Sequence, residues 1–232
     1  MNIENYQFLV DTLERHGMSH PRINENLKTK MQLNSDEFEL KGIVRKFGND
    51  TMQFAPKFVK GDSKFAEPRY YLNKIKATLT KENGKSVTSE FSLYKQRGFN
   101  TNEMYNLLSG RPVYKVPKNE EGRWTKVDFS SPDENGQVRV RNYYDSTTNF
   151  SLTREIGKLP ITWASQQEKE ETLRDLMAGE RVSVTVKQDG RAEKLMIGVA
   201  PQIGGLELLD KNLEVVKRTN TYAIEMLDDE HL

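Results

Sequence analysis

Apolar positions recur with helical spacing at the start of the chain. In residues 3–15, IENYQFLVDTLER, the residues Ile3, Tyr6, Leu9, Val10 and Leu13 share one face and predict a helix that Gly17 ends. Pro21 and the stretch to Met31 predict a second, short helix. From Phe38 the period changes. FELKGIVRKF alternates loosely and carries β-branched residues. TMQFAPKFV follows a Gly-Asn-Asp turn, and Pro56 would confine that strand to a sheet edge. YYLNKIKATLT and SVTSEFSLY flank Asn83-Gly84, the pair favoured in two-residue hairpin loops.

The second half repeats the alternation of element types. FNTNEMYNLLSG reads as a helix with Asn100 or Thr101 as cap, Glu103 near its positive end and Met104, Leu107 and Leu108 as its apolar stripe. PVYKV leaves as a strand. RWTKVDF and QVRVRNYY form a hairpin around SPDENG. SLTREIGKLP is a short helix, and WASQQEKEETLRDLMAG a longer one with Leu173, Leu176 and Met177 inward. RVSVTV and AEKLMIGV pair around an Asp189-Gly190 turn, and LELLD pairs with LEVVK.

Two stretches, LLSGRPVYK at 107–115 and LMAGERVSV at 176–184, share a junction in which a helix closes on Gly and a strand departs. Gly110 and Gly179 there fit the left-handed closing conformation. Backbone geometry explains each copy without a ligand, and the repetition hints at a distant internal duplication. The expected fold class is α+β: antiparallel sheets built from sequential β-hairpins, with helices packed on one face, arranged as two similar halves. The expected domains are 1–110, 111–218 and an acidic, fraying tail at 219–232.

Composition narrows the function classes. The chain has 232 residues and no cysteine, which removes disulfides, thiolate metal sites and a Cys nucleophile. It shows neither an apolar run long enough to span a membrane nor a secretory signal pattern at MNIENYQFLV, so a cytoplasmic location is expected. Net charge is +1 but unevenly spread. Residues 41–85 hold eleven Lys/Arg against four Asp/Glu, a net of +7; residues 161–232 hold nine against fourteen, a net of −5. The first window reads either as solvated strand faces or as a patch for an anionic partner.

Several motifs in fixed order carry a family resemblance: Tyr105–Lys115 (YNLL-x-GR-x-V-x-K), Leu176–Val186, Asp189-Gly190, Ala200-Pro201-Gln202-Ile203 and Asp210–Val215. With KATLTKENGK and FSLYKQRGF upstream, the chain resembles, over nearly its whole length, a family of domains of unknown function carried by conjugative and other mobile elements of Bacteroidetes. The resemblance implies a cytoplasmic accessory protein of a mobile element and assigns no activity and no catalytic residue. Members often carry an aromatic-His pair where this chain has Tyr143-Tyr144.

The sequence offers little chemistry. His16 and His20 have i,i+4 spacing, but Gly17 and Pro21 break a continuous helix, so no metal site is expected. No phosphate-binding glycine loop, dinucleotide fingerprint or nucleophile elbow occurs, and no catalytic residue or cofactor is expected. The best constellation is basic and aromatic. Arg139, Arg141 and Tyr143 share strand parity, Trp124 and Lys126 share parity on the partner strand, and Arg111 follows the Gly110 turn. These six are the candidate ligand-binding residues, since a guanidinium beside a ring can hold a phosphate or stack on a base. The favoured function is a non-catalytic binding module for a protein partner of a mobile element or its host. The alternative is a nucleic-acid or nucleotide binder using a basic-aromatic sheet face; an enzyme of unrecognised type ranks last. The oligomeric state is left open.

Overall fold

The computed structural model describes residues 1–61, 68–93, 98–134, 136–188, 191–210 and 212–218. The expected Asp189-Gly190 turn and the tail at 219–232 lie outside them. The fold is α+β, with antiparallel sheets assembled from hairpins. The chain divides into two compact units: residues 1–109 with 128–139, and residues 110–127 with 140 onward.

The first unit begins with α1 (Ile3–Arg15) and α2 (Pro21–Gln32). Asn2 and His20 cap them through side-chain acceptors. Strands β1 (Glu37–Glu39), β2 (Ile43–Phe47), β3 (Asp50–Lys60), β4 (Tyr70–Thr80) and β5 (Ser86–Ser92) form one sheet, and α3 (Thr101–Leu108) follows. The sheet runs β1-β3-β4-β5, with β2 also on β3. Pro56 does not make β3 an edge strand. β1 and β2 both pair with β3 and β4 lies on its other side. Pro56 C=O accepts from Leu40 N–H at 3.1 Å, so the proline's missing N–H falls opposite the break between β1 and β2.

Alternation along β4 is interrupted at Asn73, where the register with β3 shifts between Lys57 and Phe58. The bulge lets Tyr70 face inward before it and Ile75, Ala77 and Leu79 after it. The β4–β5 loop has three residues rather than two. Gly84 N–H donates to Lys81 C=O and Lys81 N–H to Lys85 C=O, each at 2.9 Å. Gly84 takes φ +78° while Asn83 keeps a negative φ, so a right-handed turn followed by a left-handed glycine replaces the two-residue loop.

The α1 stripe is partly polar. Leu9 and Leu13 have no exposed surface, and Asn5 and Thr12 are buried with them, whereas Tyr6 is only half-buried. Asn5 Nδ2 donates to Tyr70 C=O at 2.9 Å and Asn5 Oδ1 accepts from Tyr70 N–H at 2.7 Å, so one amide satisfies both backbone groups at the start of β4. Residues 128–139, expected inside the second domain, belong to the first unit. Val138 N–H donates to Thr88 C=O at 3.0 Å and Ser89 Oγ donates to Val138 C=O at 2.8 Å, which attaches this segment to β5.

The second unit contains β6 (Val113–Lys115), β7 (Arg123–Asp128) and β8 (Arg139–Tyr144) as a sheet in that order, the ends Asp128 and Arg139 falling with the first unit. Helices α4 (Leu152–Gly157) and α5 (Gln166–Met177) follow. A second sheet has the order β12-β11-β10-β9, from β9 (Val182–Gln188), β10 (Arg191–Ala200), β11 (Gly205–Leu209) and β12 (Val215–Arg218). Its core gathers Trp124, Phe150, Ile156, Leu176, Val184, Ile197, Leu206 and Leu208.

Candidate functional site

The two glycine junctions meet. Asn100 caps α3 with a reciprocal box, accepting from Glu103 N–H while Glu103 accepts from Asn100 N–H, both at 2.9 Å. That helix closes into Gly110 at φ +84°, and α5 closes into Gly179 at φ +89°. Gly110–Pro112 and Gly179–Arg181 then line one cavity of about 30 Å³, with Lys126, Gly198 and Glu207 on its walls. Arg111 Nη1 lies 3.8 Å from Glu180 Oε2, so the polar residue after one glycine pairs with its counterpart after the other.

The cavity therefore collects three cations and two carboxylates in space for about one water molecule. Burial pushes the Lys126 ammonium below its ordinary pKa, and the Glu207 carboxylate opposes that shift. Glu207 also faces Arg218 at 3.6 Å. This is a compact ionic cavity of the second unit, bordered by β7, β10 and β11, with room for a water or a small ion and none for a base or a sugar.

The six residues singled out in the sequence do not form one face. Arg111 and Lys126 enter the cavity. Trp124 is 2% exposed, with its ring 5.2 Å from Tyr114 and 5.7 Å from Phe150. It is a core residue and offers no stacking surface to a ligand. Parity placed it correctly on one side of β7, but β7 is the middle strand and is buried on both sides. Tyr143 is half-buried against the same core. Arg139 and Arg141 alone are exposed, on β8.

The excess of positive charge at 41–85 is also reduced in three dimensions. Lys57 Nζ sits 2.7 Å from Glu37, Lys74 Nζ 2.6 Å from Glu90, and Lys60 Nζ 3.9 Å from Asp36. All three acids lie outside the sequence window and reach it through adjacent strands or the sheet's border. The two described histidines serve local roles: His20 caps α2 by accepting from Arg22 N–H, and His16 Nδ1 donates to Phe99 C=O at 2.9 Å. Among the described residues no three His, Cys, Asp or Glu side chains gather to hold a metal ion.

Two arrangements escaped the sequence reading. Tyr114 OH donates to Asp145 Oδ2 at 2.6 Å, and Gly122 leaves the space this pair occupies, since a Cβ there would overlap both partners. Burial, then the Asp145 hydrogen bond, push the Tyr114 phenol up to about 12. Nothing local in the sequence marks residues so far apart as partners. The second arrangement is a cavity of about 590 Å³ in the first unit whose wall includes Phe8 and Tyr71. Its signal was legible: Phe8 is a large aromatic lying off the apolar stripe of α1 and stays 53% exposed.

The chain matches no family model, no curated protein and no solved structure. No described helix is long and apolar enough to cross a membrane.

Proposed function

We propose that this chain is a non-catalytic binding module that recognises a protein partner through the edge of β8. One observation carries the reading. Among the described residues β8 pairs with β7 alone, and five of its six residues are exposed, so its side chains are open on both faces of an edge strand. Such an edge presents backbone donors and acceptors to an added strand. Arg139 and Arg141 project from one face, and Val140 and Tyr144 are exposed on the other. Arg123 supports the second face, with its guanidinium carbon 6.0 Å from the centre of the Tyr144 ring. The occupant that complements this edge is an extended acidic segment of another protein. The resemblance of its motif order to domains carried by mobile elements implies a cytoplasmic accessory role in such an element.

The test places a photo-crosslinking residue at Asn142 and identifies what is captured in the native host. Capture of one protein through an acidic segment, abolished by Arg139→Glu with Arg141→Glu and resistant to nuclease, is the expected result. Capture of nucleic acid instead, or capture indifferent to the charge reversal, would overturn it.

A further inference from the structure

We infer that the cavity between α1 and β4 in the first unit is a binding site for a nucleotide, the base and phosphate being the recognised groups. The inference stands apart from β8 and uses different residues. The cavity has about 590 Å³, within the range of small-molecule sites. Its wall combines Phe8, Tyr71, Leu72 and Leu93 with Arg15 and His16. Phe8 is 53% exposed and Tyr71 50%, so two rings from different elements border the same open space. Isolated exposed aromatics are common; two sharing one concave site with a guanidinium suit a planar aromatic ligand.

The polar part of the wall has one sign. No acidic side chain is among the described residues lining it. Arg15 is held in place from two sides: Nη2 donates to Thr12 Oγ1 at 2.8 Å, and its guanidinium carbon stands 6.0 Å from the centre of the Phe8 ring. A guanidinium so oriented keeps further N–H donors for an oxyanion. The Phe99 carbonyl fixes the ring plane of His16. Rings for a base and a fixed guanidinium for a phosphate, with no carboxylate among the described lining residues, define the ligand class. The smaller cavity at the glycine junctions has the charge but not the room, and the groove beside β2 has Lys41 and Lys76 but also the carboxylate of Glu39, and Phe54 on its wall is only 2% exposed.

Calorimetric titration of the full chain with AMP, GMP, CMP and UMP tests this, with the matching nucleosides and ribose 5-phosphate as partial ligands. At least one mononucleotide should saturate a single site more tightly than its nucleoside, and ribose 5-phosphate should bind far more weakly. Arg15→Ala should weaken the nucleotide about tenfold and leave the nucleoside unchanged; Phe8→Ala and Tyr71→Ala should weaken both about tenfold. A short 5′-phosphorylated oligonucleotide separates the two sources of this chemistry: tighter binding than the mononucleotide marks a strand end, weaker binding a free nucleotide. Both ring positions are half exposed, so those variants should keep the parent melting temperature. Absence of saturable binding by all four mononucleotides at millimolar concentration would overturn the inference. So would binding that the three variants leave intact, or that Arg141→Ala on β8 abolishes.

Discussion

Gly110 and Gly179 carry φ of +84° and +89°, where a β-branched side chain is strained. Gly110→Val and Gly179→Val should each lower stability by about 1 kcal/mol or more in denaturant titration. Parent-like midpoints for both would contradict the left-handed closure. A second prediction concerns pH. The Tyr114 phenol is held up at about 12 in the folded chain, above its ordinary 10. A raised pKa means the folded state keeps a proton that the unfolded chain loses. The associated stability is therefore complete below pH 10 and declines as pH rises from 10 to 12. Tyr114→Phe should flatten that part of the stability profile. Gly122→Ala should do the same by pushing the phenol off Asp145, and absorbance titration of the tyrosines would report both.

Among the elements, α1 shows how a pattern can be partly right: Ile3, expected on the packed face, is 74% exposed. Hydropathy selects Leu9 and Leu13, which are fully buried, but passes over Asn5 and Thr12, which share their face. Leu9→Ala should cost about 2–5 kcal/mol, as core truncations do. A loss under about 0.5 kcal/mol would mean that the helix is not packed on the sheet. Asn5→Ala should also destabilise, because it leaves the Tyr70 N–H and C=O without their partners. In the cavity at the glycine junctions, Lys126 has its charged form penalised by burial. A lowered lysine pKa means stability rises as pH climbs through the folded pKa towards 10.5. Lys126→Met should remove that rise and should not reduce stability at pH 7; a clear loss would show that the ammonium's pairing with Glu207 outweighs its desolvation.

At the scale of the molecule, charge is organised across strands rather than along the chain. Lys57 and Lys74 meet Glu37 and Glu90 at close range, so the sheet of the first unit is a poorer polyanion surface than its local sequence implies. The exposed arginines of β8 are two. Any residual binding of single-stranded DNA through them should show a log–log salt slope no steeper than about −2. A much steeper slope would mean that the lysine-bearing sheet face engages phosphate after all. Secondary structure was largely legible because its signals are local: the Asn100 cap, the glycine closures and the alternation of apolar residues in β3 and β9. The bulge at Asn73, the three-residue loop at Glu82–Gly84 and the interior place of Pro56 were not, since each depends on what the neighbouring strand does.

The sequence by itself determined the α+β class, the order of helices and strands, and the glycine closures after α3 and α5. These follow from short-range periodicity, capping and backbone sterics. It did not determine which of the six candidate residues share a surface. Parity along a strand says that Trp124 and Lys126 point the same way; it does not say whether that side meets solvent. Only tertiary packing buried Trp124 in the core, drew Arg111 and Lys126 to the cavity shared by the two junctions, and left Arg139 and Arg141 on an open edge. It also joined Phe8, Arg15 and Tyr71, which lie up to sixty-three positions apart in sequence, on the wall of one cavity. Burial and convergence of that kind arise from contacts between distant segments, which local pattern cannot encode.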